Sequence, residues 1–185
     1  MSETTDQQLV HDPVLRQRLR FERTVEEGRD TLLVETWVDP GGGVTPHIHP
    51  AMEERFEVLS GRMEFLSGRK WTSAGPGESA TVSPGVRHAY RNRGDGPAHA
   101  VCHATPASSL QEFLEDAAAM ARAGKMTRGG FPRSPRALVE ALGLLARHQE
   151  MVVMTYPLMP PRPVQRLLFR LVGARGVSRT AVGRS

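Results

Sequence analysis

Between Gln17 and Pro106 glycine and proline cut the chain into pieces the length of single strands. Strand candidates fall at 18–25, 31–38, 53–60, 62–67, 69–73, 78–83, 87–92 and 98–105. Turn sequences separate them: Pro40-Gly41-Gly42-Gly43, Ser60-Gly61, Ser67-Gly68, Gly75-Pro76-Gly77, Pro84-Gly85 and Gly94-Asp95-Gly96. Many short strands with turn residues at this spacing predict a sandwich or a barrel.

The pattern changes after Pro106. Ser109 and Glu112 form a capping-box sequence, and Leu110, Phe113, Leu114, Ala117 and Ala121 keep helical spacing as far as Gly124. A second helix is expected over 134–149, with Ser134 as N-cap and Pro135 in its first turn. Residues 150–163, rich in methionine and proline, read as an extended connector. A third helix is expected from Pro163, with Val164, Leu167, Leu168, Leu171 and Val172 on one face and Arg162, Arg166 and Arg170 on the other. The expected organisation is a flexible N-terminal segment (1–17), a β-barrel (18–106) and a C-terminal helical extension (107–185). The apolar helix faces, including Leu138, Val139, Leu142 and Leu145, must be buried on the barrel, on each other or on a second protomer. As a lid they would cover the barrel mouth; as a dimerisation element they would make a homodimer. The stretch Met151–Pro160 reads either as ordinary packing or as the lining of an apolar pocket.

With 185 residues the chain can bury a core without disulfides or metal staples. A metal-ligating pattern here therefore needs a functional reason. The single cysteine, Cys102, forms no intramolecular disulfide and reads as a small core residue in a reducing, cytoplasmic setting. Met1 to Val14 has neither the basic nor the apolar region of a signal peptide, and no apolar run is long enough to span a membrane. Six arginines and no acid lie in residues 161–185, so the net charge of +4 becomes −2 for the rest of the chain. The basicity belongs to the tail and reads as a solvated face. Aromatic residues do not interleave with these arginines, so no nucleic-acid partner is expected.

One stretch carries chemistry: GGGVTPHIHPAMEERFEVLSG, from Gly41. His47 and His49 are two apart, so on a strand both imidazoles point the same way. Glu54 follows across a turn, at the start of a strand that continues through Phe56 and Val58. His88 comes later, in SPGVRHAYRN, and would close the site from another strand. Three imidazoles and a carboxylate suit one divalent transition metal: iron, manganese, nickel, copper, cobalt or zinc. Tyr90 shares the face of His88, and Phe56 that of Glu54, so each is either a pocket wall or plain barrel core. His99 and His103 alternate with alanines and Cys102 on a late strand and face either cavity or solvent. No catalytic acid or base is assigned.

These residues resemble the two motifs of the cupin superfamily. Gly41, His47, His49, Glu54 and Gly61 follow the first motif; Gly77, Gly85, His88 and Asn92 follow the second, with Ser83 standing where proline is usual. Glu53 sits at a shorter permitted spacing but is then too far from Gly61, which favours Glu54. The resemblance covers about residues 30–105. It implies a mainly β fold, a double-stranded β-helix or jelly-roll barrel, here with a C-terminal α-helical appendage. It also implies a metal at His47, His49, Glu54 and His88, with two coordination positions left for substrate or dioxygen.

Three functional classes follow from that likeness. Single-domain cupins of the quercetin-dioxygenase-like group are similar in layout and suggest an oxygenase on an enol or phenol. Polyketide-cyclase-like cupins suggest a non-oxidative Lewis-acid enzyme: a cyclase, isomerase or lyase. A ligand-binding cupin without catalysis is the third, and no helix-turn-helix precedes residue 18 to make it a regulator.

Overall fold

The computed structural model describes residues 9–155, 159–160 and 162–177. Eleven strands and three helices follow one another: β1 (Val10–Asp12), β2 (Gln17–Glu26), β3 (Arg29–Val38), β4 (His47–Ile48), β5 (Glu53–Ser60), β6 (Met63–Ser67), β7 (Lys70–Ala74), β8 (Ser79–Val82), β9 (Arg87–Arg91), β10 (Ala98–Thr105), α1 (Leu110–Arg122), α2 (Pro135–Arg147), β11 (Val153–Met154) and α3 (Arg162–Val177). The strands form two antiparallel sheets, ordered β1-β2-β3-β10-β5-β8 and β11-β4-β9-β6-β7. This is the mainly β, two-sheet barrel with helical appendage that the motifs imply.

Strand alternation decides what faces inward. Leu19 and Phe21 of β2, Leu32, Val34 and Val38 of β3, and Phe56 and Val58 of β5 are buried between the sheets. Each such side chain contributes on the order of 1.5–3 kcal/mol by leaving water. The inward positions of β10 are small: Ala98, Ala100, Cys102 and Ala104. A central strand lined this way cannot fill the barrel, and it leaves room for a cavity. His99 and His103 point outward instead, to Glu35 (2.8 Å) and Glu26 (2.8 Å).

Gly61, the last glycine of the first motif, turns β5 into β6 at φ +74°. A Cβ there would stand 2.6 Å from the Pro97 carbonyl oxygen. Left-handed backbone and a backbone clash act together, so Gly61→Ala is expected to lose about 2–3 kcal/mol. Urea unfolding checks this, and a loss within about 0.5 kcal/mol, the scale of a neutral surface substitution, would refute it.

Three sequence expectations are corrected. The barrel sheet begins earlier than residue 18, because Val10–Asp12 pairs with β2 as an edge strand; residues 1–8 lie outside the described residues. The Ser109 capping box is not made: its hydroxyl bonds His148 Nδ1 (2.7 Å) and leaves the helix end without a side-chain cap. On α3 the packed face holds Gln165 and Phe169, while Val164 and Leu167 are exposed. Gln165 turns inward because its amide donates to the carbonyls of Met154 (2.9 Å) and Pro160 (2.7 Å). The side chains of Leu171 and Val172, and residues Arg179 and Arg184, lie outside the described residues. Ser134 does cap α2, accepting from Ala137 N. Among the described residues no helix is long and apolar enough to cross a membrane.

Candidate metal centre

His47, on the short strand β4, pairs with His88 on β9. Glu54, at the start of β5, comes from the other sheet, and His49 lies just beyond β4. One potential ligand atom from each of the four lies within 4.8 Å of the others. Glu54 turns inward and Glu53 does not, as strand parity requires. Glu54 Oε2 stands 2.9 Å from His88 Nε2, and Glu54 Oε1 stands 3.4 Å from His49 Nε2.

The other nitrogen of each ring has a defined partner. His47 Nδ1 donates to the Thr45 carbonyl (2.9 Å), His49 Nδ1 to that of Met151 (2.8 Å), and His88 Nδ1 to that of Val86 (2.8 Å). A carbonyl oxygen only accepts, so each Nδ1 holds the proton and each Nε2 presents a lone pair to the shared centre. Two of these carbonyls lie two residues from the ring they hold. The third comes from the C-terminal extension, which also adds β11 beside β4, Val153 against Ile48 and Met154 against His47. Thr155 closes this strap, donating to the Pro46 carbonyl (2.7 Å) and accepting from Arg87 (3.2 Å). The extension therefore helps build the site.

The residues fit a metal ion. His49 Nε2, His88 Nε2 and Glu54 Oε2 are buried polar atoms without a hydrogen-bond partner. Each such atom costs about 1–3 kcal/mol if nothing satisfies it. Their convergence with His47 around one point is the geometry of a ligand set. Burial, with repulsion from His88 and His49, pushes His47 down to about 3, so it stays neutral and available. Burial also works against charge on Glu54 and His49. The pairing of the carboxylate with the imidazoles it faces wins, holding the carboxyl well below its usual range and raising His49.

The sign of the pH effect follows. A raised His49 keeps its proton in the metal-free protein to higher pH than a free imidazole, and a metal must displace that proton. Affinity for zinc or nickel should therefore weaken as pH falls through the His49 range, by about tenfold per pH unit for one displaced proton. Competition titrations between pH 8 and pH 6 measure the slope; a flat profile would contradict it.

The ligands open into a cavity of about 250 Å³. Phe56 and Tyr90 form part of its wall, together with Val34, Val44 and Cys102. The helices supply part of its lining. Leu110, Phe113, Leu114 and Ala117 of α1 line it at helical spacing, as do Leu138, Ala141, Leu142 and Leu145 of α2. Val152, Met154 and Met159 of the connector complete it. Val139, expected on the same apolar face, is exposed.

Four polar residues that line this cavity escaped the sequence reading: Asp12, Gln17, Thr36 and Thr45. The parity of Gln17 with Leu19 and Phe21, and of Thr36 with Val34 and Val38, is the signal that could have found two of them. Burial raises the carboxyl of Asp12 against the hydrogen bonds it accepts from Leu15 N and Val14 N.

A family match agrees with this architecture. Residues 34–104 match the family described as "Cupin domain". No curated protein matches the chain. Among solved structures it is similar to an RmlC-like cupin from Shewanella frigidimarina (17% identity, TM-score 0.49, covering 58% of this chain and 91% of that one). It is similar also to the polyketide cyclase RemF from Streptomyces resistomycificus (23% identity, TM-score 0.46, 57% and 78%). A third is KdgF from a Halomonas species (17% identity, TM-score 0.48, 57% and 90%).

Proposed function

We propose that this chain, whose residues 34–104 carry a cupin domain, is a metal-dependent enzyme acting on a small, largely apolar organic molecule. The reading rests on one observation: four donors converge, and three of them, His47, His49 and Glu54, line a cavity whose remaining walls are mostly carbon. A pocket of this kind binds by apolar contact and orients its ligand through a few polar points.

The preferred reaction is oxygenation of an enol or phenol. Three neutral imidazoles and one carboxylate leave a divalent ion with a single net positive charge. In a low-dielectric cavity that charge favours an anionic oxygen such as an enolate or phenolate. A divalent transition metal there supplies a Lewis acid and, if redox-active, a partner for dioxygen. The chain does the rest: backbone carbonyls fix the three rings, Glu54 brings the balancing charge, and Phe56 with the α1 and α2 faces keeps water out.

A second reading, a non-oxidative cyclase, isomerase or lyase, is favoured by Asp12. A carboxyl that lines the cavity and is raised by burial can exchange a proton with substrate, which such a reaction needs. Full-length protein loaded with iron(II), nickel or zinc, given a panel of enols and phenols, separates the two. Oxygen uptake coupled to substrate loss supports the oxygenase. Turnover under anaerobic conditions, lost in Asp12→Asn, supports the second. Saturable binding with no product in any metal form would leave a ligand-binding cupin and overturn both.

A further inference from the structure

We propose that Gln17, Thr36 and Tyr90 form a polar subsite inside the barrel. It selects a largely apolar substrate bearing a second oxygen, a carbonyl or hydroxyl, besides the one presented to the metal ligands. This rests on the reading of the cavity as the substrate site.

Gln17 and Thr36 are each 1% exposed, yet Gln17 Nε2 and Thr36 Oγ1 have no hydrogen-bond partner. Both residues line the cavity. Tyr90 explains the first vacancy: its hydroxyl donates to Gln17 Oε1 (2.6 Å) and leaves the amide nitrogen free. Turning the amide over would exchange the roles and still leave one of its polar atoms unpaired. Around them stand Leu19, Val34, Val38 and Val58, which offer nothing polar. Buried polar groups in such surroundings are normally satisfied; the Tyr90 hydroxyl is near Thr36, and the cavity that both residues line is the other place a partner can come from. An amide N–H and a hydroxyl can both donate to one oxygen.

The subsite is displaced from the metal ligands. Glu54 pairs with Ala104 of β10, whereas Thr36 pairs with Ala100, four residues along the same strand. That is roughly 13 Å of backbone. Tyr90 is two residues beyond His88 on β9, and its hydroxyl reaches Gln17. A ligand held at both places carries its oxygens at opposite ends of an apolar body.

The test compares 2,6-dihydroxynaphthalene with 2-naphthol, by calorimetry on the zinc-loaded full chain. The diol should bind about tenfold more tightly, the worth of one good hydrogen bond. Thr36→Val and Gln17→Met should each remove most of that advantage and leave 2-naphthol unchanged. Thr36→Val should also raise the melting temperature of the ligand-free protein by about 2–4 °C, because it deletes an unsatisfied hydroxyl at constant shape. That rise shows the variant is folded. Equal weakening of both probes, no change with either variant, or no binding of either probe at millimolar concentration overturns the subsite. His47→Ala/His88→Ala tests the metal end separately. If it leaves diol affinity intact while Thr36→Val reduces it, the subsite stands and the metal-centred function fails.

Discussion

Full-length protein carrying His47→Ala and His88→Ala is expected to purify without stoichiometric metal and to gain no thermal stability from added zinc or nickel. Wild-type protein should gain about 4 kcal/mol when free metal stands a thousandfold above Kd. For a chain of this length that is roughly 8–16 °C in melting temperature. The argument is local. Both rings pair across β4 and β9, both have Nδ1 committed to a backbone carbonyl, and both aim Nε2 at Glu54 and His49. Taking away two of four donors leaves a half-site with no geometric claim on an ion. Glu54→Gln is the sharper companion: it keeps the shape and removes the charge, so it should bind metal weakly and no longer repay a rise in pH. Mass spectrometry of purified protein and a thermal melt with and without metal measure both. Wild-type protein that neither carries metal nor responds to it would sink the metal centre.

Asn92→Ala should cost about 3 kcal/mol, although the residue touches no ligand. Asn92 is 1% exposed and uses its whole side chain. Its amide nitrogen donates to the carbonyls of Val38 and Gly96, both at 2.8 Å, and its oxygen accepts from Gly94 N at 2.8 Å. Its backbone bonds Gly42 and Gly41 from the first motif. One asparagine thus ties the end of β3, the 93–97 turn and the glycine loop that leads to His47. Alanine would take this partner from three backbone groups at once, the buried Val38 carbonyl among them. Chemical denaturation should show a clear fall in midpoint at unchanged slope. A change below about 1 kcal/mol would mean water takes over the bonds.

Much of this was legible before any coordinates. The eight strand candidates all became strands, because their alternation and turn residues are local signals. Three short strands were missed. Two of them, Val10–Asp12 and Val153–Met154, are strands only because a partner lies beside them. The ligand set came together as the spacing implied, since two residues apart on a strand means one face. That α3 packs through Gln165 and Phe169 was not legible, because helical periodicity cannot say that Gln165 will find two carbonyls to cap.

The sequence by itself determined the strands and their turns, which rest on periods and spacings within a few residues, and, through the likeness to the two cupin motifs, the four candidate donors. Only the tertiary structure decided what surrounds them. A backbone carbonyl has no signature in sequence, so the hold of Met151 on His49, across 102 residues, is invisible until the chain returns. The same return lines the cavity with residues of α1 and α2, and the facing of the two sheets sets Gln17 beside Tyr90, 73 residues apart. Those contacts depend on the register between distant strands, which the long-range packing of the whole chain sets and no local pattern encodes.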